Sequence, residues 1–313
     1  MTAERNRPLI AWAFIGPAFA HLLIFALIPM AYALYVSFYK VQLLRDEWAF
    51  TGLGNYALAV AEPPFWNAMW NSFRYALMSV PAGMFVALLI AILVNQKLRG
   101  MTIFRTLYYI PAISSGVAVA MLWTYVFLPD TGLINTMLLG LFGPDTFIGE
   151  RVLRGVGVAP YPGIDFLNRS EWAMPALAFM SIWVGLGPRM ILFLAGLIGI
   201  PQSLYEAAQL DGAGKLRSFW NVTLPMLVPT TFFVLITSTI GAMQIFTPVY
   251  MMTKGGPEDT TDVVGYHIYT EAWVNFNTGI ASAKSFVLLA VIVVISLFQF
   301  RLMRNQMQGY SSV

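Results

Sequence analysis

Six long stretches of the chain are almost free of charged residues, and they constrain the fold more than any other feature. Each is about 20 residues or longer, which is the length that an α-helix needs to cross the hydrocarbon core of a bilayer. Only 11% of the residues are charged, whereas a typical soluble chain carries about 25%. The chain therefore lacks the polar surface of a soluble enzyme. We predict an all-α integral membrane protein with six transmembrane helices.

The six predicted spans place both ends of the chain on one side of the membrane. They are expected at about 8–39, 72–96, 104–129, 172–200, 223–250 and 276–303. The first apolar run follows Arg5 and Arg7 like a signal peptide, but it is too long for one, so we retain it as a span. No loop is long enough to form a separate domain, which predicts a single membrane domain over residues 1–313.

The basic residues predict the orientation of these spans. Loops on the side of the termini carry nine basic and three acidic residues, whereas the opposite loops carry six basic and twelve acidic residues. Lysine and arginine accumulate in short cytoplasmic loops. We therefore predict that both termini are cytoplasmic.

The cytoplasmic segment 201–222 is predicted to form two short helices joined by a glycine turn. The first helix is about ten residues or about 15 Å long, half of what a bilayer requires. Gly212 is expected to end it in a conformation with positive φ, and the second helix begins near Lys215. Interfacial helices that rest on lipid are usually rich in lysine and arginine. Here the polar face carries Glu206 and Asp211 instead, which favours a protein partner over the lipid surface.

A set of residues in and just after this loop carries a family resemblance. They are Glu206, Ala207, Ala208, Asp211, Gly212, Ala213, Phe219, Leu224 and Pro225. This set resembles the EAA loop of the permease subunits of binding-protein-dependent ABC importers, in particular the carbohydrate-uptake branch with the maltose and glycerol-3-phosphate permeases. The likeness extends along nearly the whole chain. Further matching positions are 52–56, 71–72, Arg105, Pro111, Trp183, 195–197, 200–201, 253–257 and 281–283.

The resemblance implies a type I ABC importer permease fold with a core permease region at about 70–303 and a coupling loop at 201–222. In this family the first short helix docks in a cleft of a separate ATPase subunit. Glu206 and Ala207 would lie in that contact, Gly212 would allow the sharp turn, and Phe219 would anchor the second helix against the bundle.

The resemblance also implies partners and a location. The partners are a second, homologous permease subunit that completes a heterodimer, a dimer of ATPase subunits on the cytoplasmic face, an external substrate-binding protein and a sugar substrate. The location is the cell (inner) membrane of a bacterium or archaeon, with several passes through the bilayer.

The chain has no phosphate-binding loop of its own. Its only Gly-Lys pair, Gly214-Lys215, is followed by Leu216, and Gln209 stands where the first glycine of such a loop belongs. We therefore expect no catalytic residue and no cofactor on this chain, with ATP and magnesium on the partner ATPase subunit. Two histidines far apart predict no histidine-based metal site, and the sparse charges give no argument for nucleic-acid binding.

Polar and aromatic residues inside the spans are the candidates for a substrate path. They are Trp183, Val184, Gly185, Ser238 and Gln244. An indole face suits stacking against a sugar ring, and serine or glutamine suits its hydroxyls. Small and hydroxyl residues also pack helices against each other in membranes, so packing stays an alternative for each position.

The few charges within the spans bear on the class of function. Arg189 is expected to snorkel or pair near the inner end of its span rather than to form an anion site. Lys284 lies near the outer end of the last span, and no carboxylate lies inside the spans to pair with either residue. An intramembrane enzyme or an ion-coupled carrier would need such carboxylates, so both are disfavoured against a permease subunit. The lack of a cation cluster favours a neutral sugar, with glycerol-3-phosphate or another polar solute as the alternative.

Overall fold

The structure, a computed structural model, describes residues 7–42, 47–96, 100–142 and 163–308, and most of these residues are helical. The helices are α1 (Arg7–Leu22), α2 (Ile28–Ser37), α3 (Gly54–Ala61), α4 (Pro63–Val94), α5 (Met101–Ile113), α6 (Gly116–Val126), α7 (Leu133–Phe142), α8 (Ser170–Ile198), α9 (Gln202–Leu210), α10 (Lys215–Ser218), α11 (Leu224–Met226), α12 (Val228–Met243), α13 (Val264–Tyr269) and α14 (Thr278–Gln308). Short π-helical turns lie at Leu23–Leu27, Phe219–Thr223, Val249–Thr253 and Thr270–Val274.

Four helical segments are long and apolar enough to cross a membrane. They are Phe14–Ser37, Pro63–Val94, Ser170–Ile198 and Thr278–Arg304. Two more candidates are bent pairs: α5 with α6 at 99°, and Lys215–Met226 with α12 at 61°. The described residues therefore hold four candidate spans, or up to six when each bent pair counts as one. Several charges behind the predicted orientation, Arg5, Lys97, Arg99, Arg151 and Arg154, lie outside the described residues.

Two predicted spans differ from the expected unbroken helix. In the third, Ser114 and Ser115 adopt extended ψ angles of 153° and 124°, one turn after Pro111. Proline lacks the N–H that continues a helix, so the helix is already weakened there. In the fifth, α12 ends at Met243 because Gln244 leaves helical geometry, with φ −103° and ψ 15°.

The chain divides into two compact units, Met1–Phe65 with His267–Ala290 and Trp66–Tyr266 with Val291–Val313. The first unit contains an antiparallel hairpin of β1 (Tyr39–Gln42) and β2 (Glu47–Phe50), in which Tyr39 lies opposite Phe50. The all-α prediction missed this hairpin. Asn55 fastens it, because its Nδ2 donates to the carbonyls of Ser37 and Tyr39 at 2.9 Å each.

The second unit is built around α8, which packs against helices on two sides. One apolar cluster joins it to α4 and α12 through buried residues such as Ala91, Phe193 and Val234. A second cluster joins it to α6 through Trp123 and Met180.

Two polar residues early in α4 hold the loop 254–263 against that helix within the same unit. The Nδ2 of Asn71 donates to the carbonyls of Asp259 and Asp262 at 2.8 and 2.9 Å. The hydroxyl of Ser72 accepts from the Val264 backbone N–H at 2.9 Å. Both residues belong to the resemblance, and their contacts give them a structural role.

Candidate translocation cavity and coupling loop

A cavity of about 460 Å³ lies in the second unit, between α4, α8 and α12. Its polar lining comes from Tyr75, Ser79, Arg189, Thr237, Ser238, Gln244 and Thr247. The three helices are apolar over most of their length, so this is a polar pocket inside a group of candidate spans. Polar groups at such positions mark pathways for polar solutes.

Arg189 is the charged group of this cavity. Its Nε donates to the hydroxyl of Ser238 at 3.0 Å. Its Nη1 is buried and has no hydrogen-bond partner, and no acidic side chain among the described residues forms an ion pair with it.

We expected Arg189 to snorkel or pair near the predicted inner end of its span, and it pairs, with its side chain directed away from that end. Its guanidinium lies beside Gly185, one turn closer to the N-terminal end of α8 and away from the loop 201–222. Side chains on a helix lean toward the N-terminus of that helix, which explains the direction. The arginine therefore pairs with Ser238 inside the cavity.

Two glycines provide the space for this guanidinium. A Cβ atom added at Gly83 of α4 would lie 2.5 Å from Nη1 of Arg189, and one added at Gly185 would lie 2.7 Å from the same atom. Both distances are shorter than real Cβ contacts, so any side chain at either position would displace the guanidinium.

The five predicted path residues separate into two groups. Gly185, Ser238 and Gln244 line the cavity. Trp183 instead meets the Trp123 ring edge-on with centroids 5.5 Å apart, and Val184 packs against the same aromatic cluster. A helix rotates by about 100° per residue, so these neighbours of Gly185 face in other directions.

Sequence reasoning missed the contribution of α4 to the cavity. Tyr75, Ser79 and Gly83 recur every four residues and therefore lie on one face of the helix. That short polar stripe in a predicted span was the available signal.

In the loop 201–222, α9 ends with the turn that the sequence predicts. Gly212 has φ +77°. The N–H of Ala213 donates to the Ala208 carbonyl at 2.9 Å, and the N–H of Gly212 to the Gln209 carbonyl at 3.0 Å. This pair of bonds is the Schellman motif, which satisfies carbonyls at a helix end and requires a left-handed residue, usually glycine.

The loop presents one exposed face. Glu206, Ala207, Asp211 and Gly212 are exposed, whereas Ala208 and Ala213 are half-buried. Large apolar side chains accompany them on the surface: Leu210 is 90% exposed, and Leu216 and Trp220 are 73% and 61% exposed. Exposed apolar groups near charged ones are typical of surfaces that bind a protein or a membrane.

The other face of the loop is joined to the second unit. Leu204 and Tyr205 pack against the core cluster of α4 and α8, and the Tyr205 hydroxyl is 3.0 Å from Oγ1 of Thr223. Phe219 is half-buried and lines a cavity of about 990 Å³ with residues from the ends of α4 and α8. Pro225, also half-buried, lies in α11, just before α12.

Lys284 lies in a cluster of charged residues in the first unit. It is fully buried, and its Nζ lies 2.7 Å from Oε2 of Glu62 and 3.1 Å from Oε2 of Glu271. The sequence offers no carboxylate inside the predicted spans to pair with Lys284, and both acids indeed stand outside those spans and are brought to it by the fold. Asn277 donates to the other oxygen of Glu271 at 2.7 Å.

Glu271 is held in its ionised form. Burial raises the pKa of its carboxyl, but the hydrogen bonds from Asn277 and Lys284 and the charge of Lys284 outweigh burial, so the pKa lies below its ordinary value. The carboxylate is therefore stabilised by the folded state.

Glu62, His267 and Glu271 offer one atom each within 4.8 Å of one another, a spacing that could hold a metal ion. However, the Lys284 ammonium already contacts all three side chains, with its distance to Nε2 of His267 at 3.1 Å. This lysine supplies the positive charge that a metal would bring, so the residues fit an internal ion cluster better than a metal site.

Comparison with known proteins agrees with this arrangement. Residues 58–308 match the family described as the binding-protein-dependent transport system inner membrane component. The chain is 35% identical over 304 residues to the probable ABC transporter permease protein YesP of Bacillus subtilis, covering 95% of this chain and 91% of that protein. It is 33% identical to the lactose transport system permease protein LacF of Rhizobium radiobacter, covering 97% of each chain.

A glycerol-3-phosphate permease and a solved structure are also similar. The sn-glycerol-3-phosphate transport system permease protein UgpA of Brucella abortus is 29% identical over 299 residues, covering 95% of this chain and 96% of that protein. A chain in the crystal structure of a bacterial ABC transporter involved in import of the acidic polysaccharide alginate superposes with a TM-score of 0.76, at 24% identity, over 97% of this chain and 98% of that chain. The fold is that of ABC importer permeases.

Proposed function

The chain belongs to the family of binding-protein-dependent transport system inner membrane components, and from this membership we propose its role in detail. It is the membrane-spanning permease subunit of an ABC importer, and it forms part of the translocation path for a sugar or oligosaccharide. The main support for this translocation path is the polar cavity between α4, α8 and α12. The named function of LacF supports a sugar, and that of UgpA keeps glycerol-3-phosphate as the alternative.

The energy for transport comes from a partner chain. ATP and magnesium bind to an ATPase subunit on the cytoplasmic face, two copies of which serve a heterodimer of this chain and a homologous permease. An external binding protein delivers the substrate, and both termini of this chain are cytoplasmic. This chain then works as a transporter subunit without catalytic residues of its own.

The exposed face of the loop 201–222 is the docking surface for the ATPase subunit. Glu206 and Ala207 enter the contact together with Leu210, whose 90% exposure leaves an apolar side chain to be covered. Tyr205 and Phe219 connect the loop to the ends of α4 and α8. Movement of the ATPase subunits is thereby transmitted to the helices that line the cavity, as rigid-body rocking around the site.

The experiment compares two aspartate substitutions in the reconstituted importer. Gly212→Asp places a side chain at φ +77°, which disfavours the turn at the docking surface. Gly214→Asp adds the same charge two residues away, at φ −71° and at the N-cap of α10, where aspartate is well tolerated. We expect Gly212→Asp to abolish substrate uptake while insertion is kept, and Gly214→Asp to retain most uptake. Normal uptake by Gly212→Asp would contradict the coupling role.

A further inference from the structure

We propose that Arg189 binds an anionic group of the transported carbohydrate, a carboxylate or a phosphate ester, inside the cavity between α4, α8 and α12. The inference rests on the proposed permease function and names the substrate class of that same site. It reverses two expectations from the sequence: that Arg189 does not form an anion site, and that the sugar is neutral because the spans hold no cluster of cations.

The charge of Arg189 is not compensated by any acidic side chain among the described residues. A guanidinium is always protonated and carries five N–H donors. Here Nε bonds to Ser238, while Nη1 is buried without a partner, and no described carboxylate pairs with the group. A buried cation with open donors inside a membrane is costly unless it serves a ligand or a path. Lys284 shows the contrast, because two carboxylates of the chain itself neutralise it.

The guanidinium of Arg189 is also held in place. Ser238 fixes Nε, and Gly83 and Gly185 leave space for the terminal nitrogens without a competing side chain. The terminal nitrogens of arginine form a planar fork that matches the two oxygens of a carboxylate or phosphate. A positioned fork is the form in which arginine discriminates between an acid and its neutral analogue.

The other polar residues of the cavity lining are uncharged. Ser79, Thr237 and Gln244 supply neutral donors and acceptors suited to sugar hydroxyls. A single cation among neutral polar groups fits a substrate with one charge per sugar unit or per small molecule.

The test uses the complete importer, produced with its co-encoded subunits and binding protein and reconstituted in liposomes. Uptake and stimulated ATP hydrolysis are measured with three matched pairs of probes: galacturonate against galactose oligosaccharides, glucuronate against glucose oligosaccharides, and glycerol 3-phosphate against glycerol. We expect an acidic member of one pair to be the best substrate. A response in the uronate pairs identifies a carboxylate, and a response in the glycerol pair identifies a phosphate.

Three variants then separate recognition from structure. Arg189→Gln should raise the half-saturating concentration of the acidic substrate about tenfold to a hundredfold, and Arg189→Lys should recover part of that loss because it keeps the charge. Gly83→Ala should act in the same direction by displacing the guanidinium. Its matched control is Gly16→Ala in α1, where an added Cβ meets nothing within 4 Å.

Each other outcome has a definite meaning. A neutral best substrate, or an unchanged half-saturating concentration in Arg189→Gln, overturns the inference and leaves the permease function standing. An equal loss of acidic and neutral uptake in Arg189→Gln also overturns it, since the arginine would then be structural or paired with a partner subunit. Absence of any stimulated uptake by the wild-type importer counts against the proposed function itself.

Discussion

Replacing Lys284 by methionine should strongly destabilise the chain, because it removes a buried cation that pairs with two carboxylates. Methionine keeps the length and apolar stem of the side chain but loses the ammonium. Glu62 and Glu271, which lie 2.7 and 3.1 Å from Nζ, would then face each other and the Nε2 of His267 without a fixed positive charge.

The exposure of the two acids sets the magnitude. Removal of one partner from a buried ion pair costs about 3–5 kcal/mol. The side chain of Glu62 is 35% exposed, so water can compensate much of its charge, whereas that of Glu271 is only 10% exposed. The loss therefore comes mainly from Glu271, and we expect the lower end of the range, about 3 kcal/mol.

The assay is the thermal unfolding midpoint of the purified chain in detergent micelles, compared among single and double variants. Lys284→Met should melt well below wild type. Adding Glu271→Gln to it should recover a large part of the loss, because the uncompensated charge is then gone. Adding Glu62→Gln should recover less. An unchanged melting temperature in Lys284→Met, or a better rescue by Glu62→Gln than by Glu271→Gln, would show that Lys284 does not stabilise the chain mainly by compensating Glu271.

Two further predictions concern proton binding and close packing. The pKa of the Glu271 carboxyl lies below its ordinary value. Its contribution to stability is therefore fully present above the pKa of the unfolded state and is lost as the pH falls through the lowered folded-state pKa. The unfolding midpoint of wild type should exceed that of Glu271→Gln at pH 7 and converge with it in strong acid, and a gap that widens in acid would contradict this. Gly187→Ala should lower the free energy of unfolding by about 1–3 kcal/mol, because the new Cβ would lie 2.4 Å from the Tyr108 carbonyl oxygen. The control is Gly140→Ala, where the new Cβ meets open space. Equal unfolding midpoints for the two variants would contradict the close approach at Gly187.

Local signals in the sequence predicted the loop 201–222 in detail. The glycine at position 212 has the positive φ that was expected of it, and the helix before it is as short as its pattern indicates. Such features depend on residues close together in the chain, so propensity and capping rules suffice. The same holds for the apolar runs, whose length alone indicates membrane spans.

Features that depend on distant residues could not be predicted from the pattern. Glu62 is far from Lys284 in sequence, and Glu271 lies in the turn before the helix that carries Lys284. Only the fold brings their carboxylates to its ammonium. The breaks in the third and fifth spans were also not predicted. The residues at these breaks, a serine pair after a proline and a glutamine, are equally compatible with a continuous helix when only the sequence is considered. Asn71 and Ser72 are positions of the family resemblance, but the sequence did not show their role. The structure shows that both form hydrogen bonds that hold the segment 259–264 against α4.

Arg189 and Lys284 show that the pairing of a buried cation distinguishes a structural role from a role in binding substrate. Sequence treats Arg189 and Lys284 alike, as isolated cations near the ends of spans. The structure surrounds Lys284 with acids of its own chain, which leaves it no capacity to bind a solute. It gives Arg189 one neutral hydroxyl and an open cavity. A cation with no counter-charge among the described residues of its own chain is the one that can recognise a charged substrate. The substitution of Arg189 should therefore alter selectivity, whereas the substitution of Lys284 should alter stability.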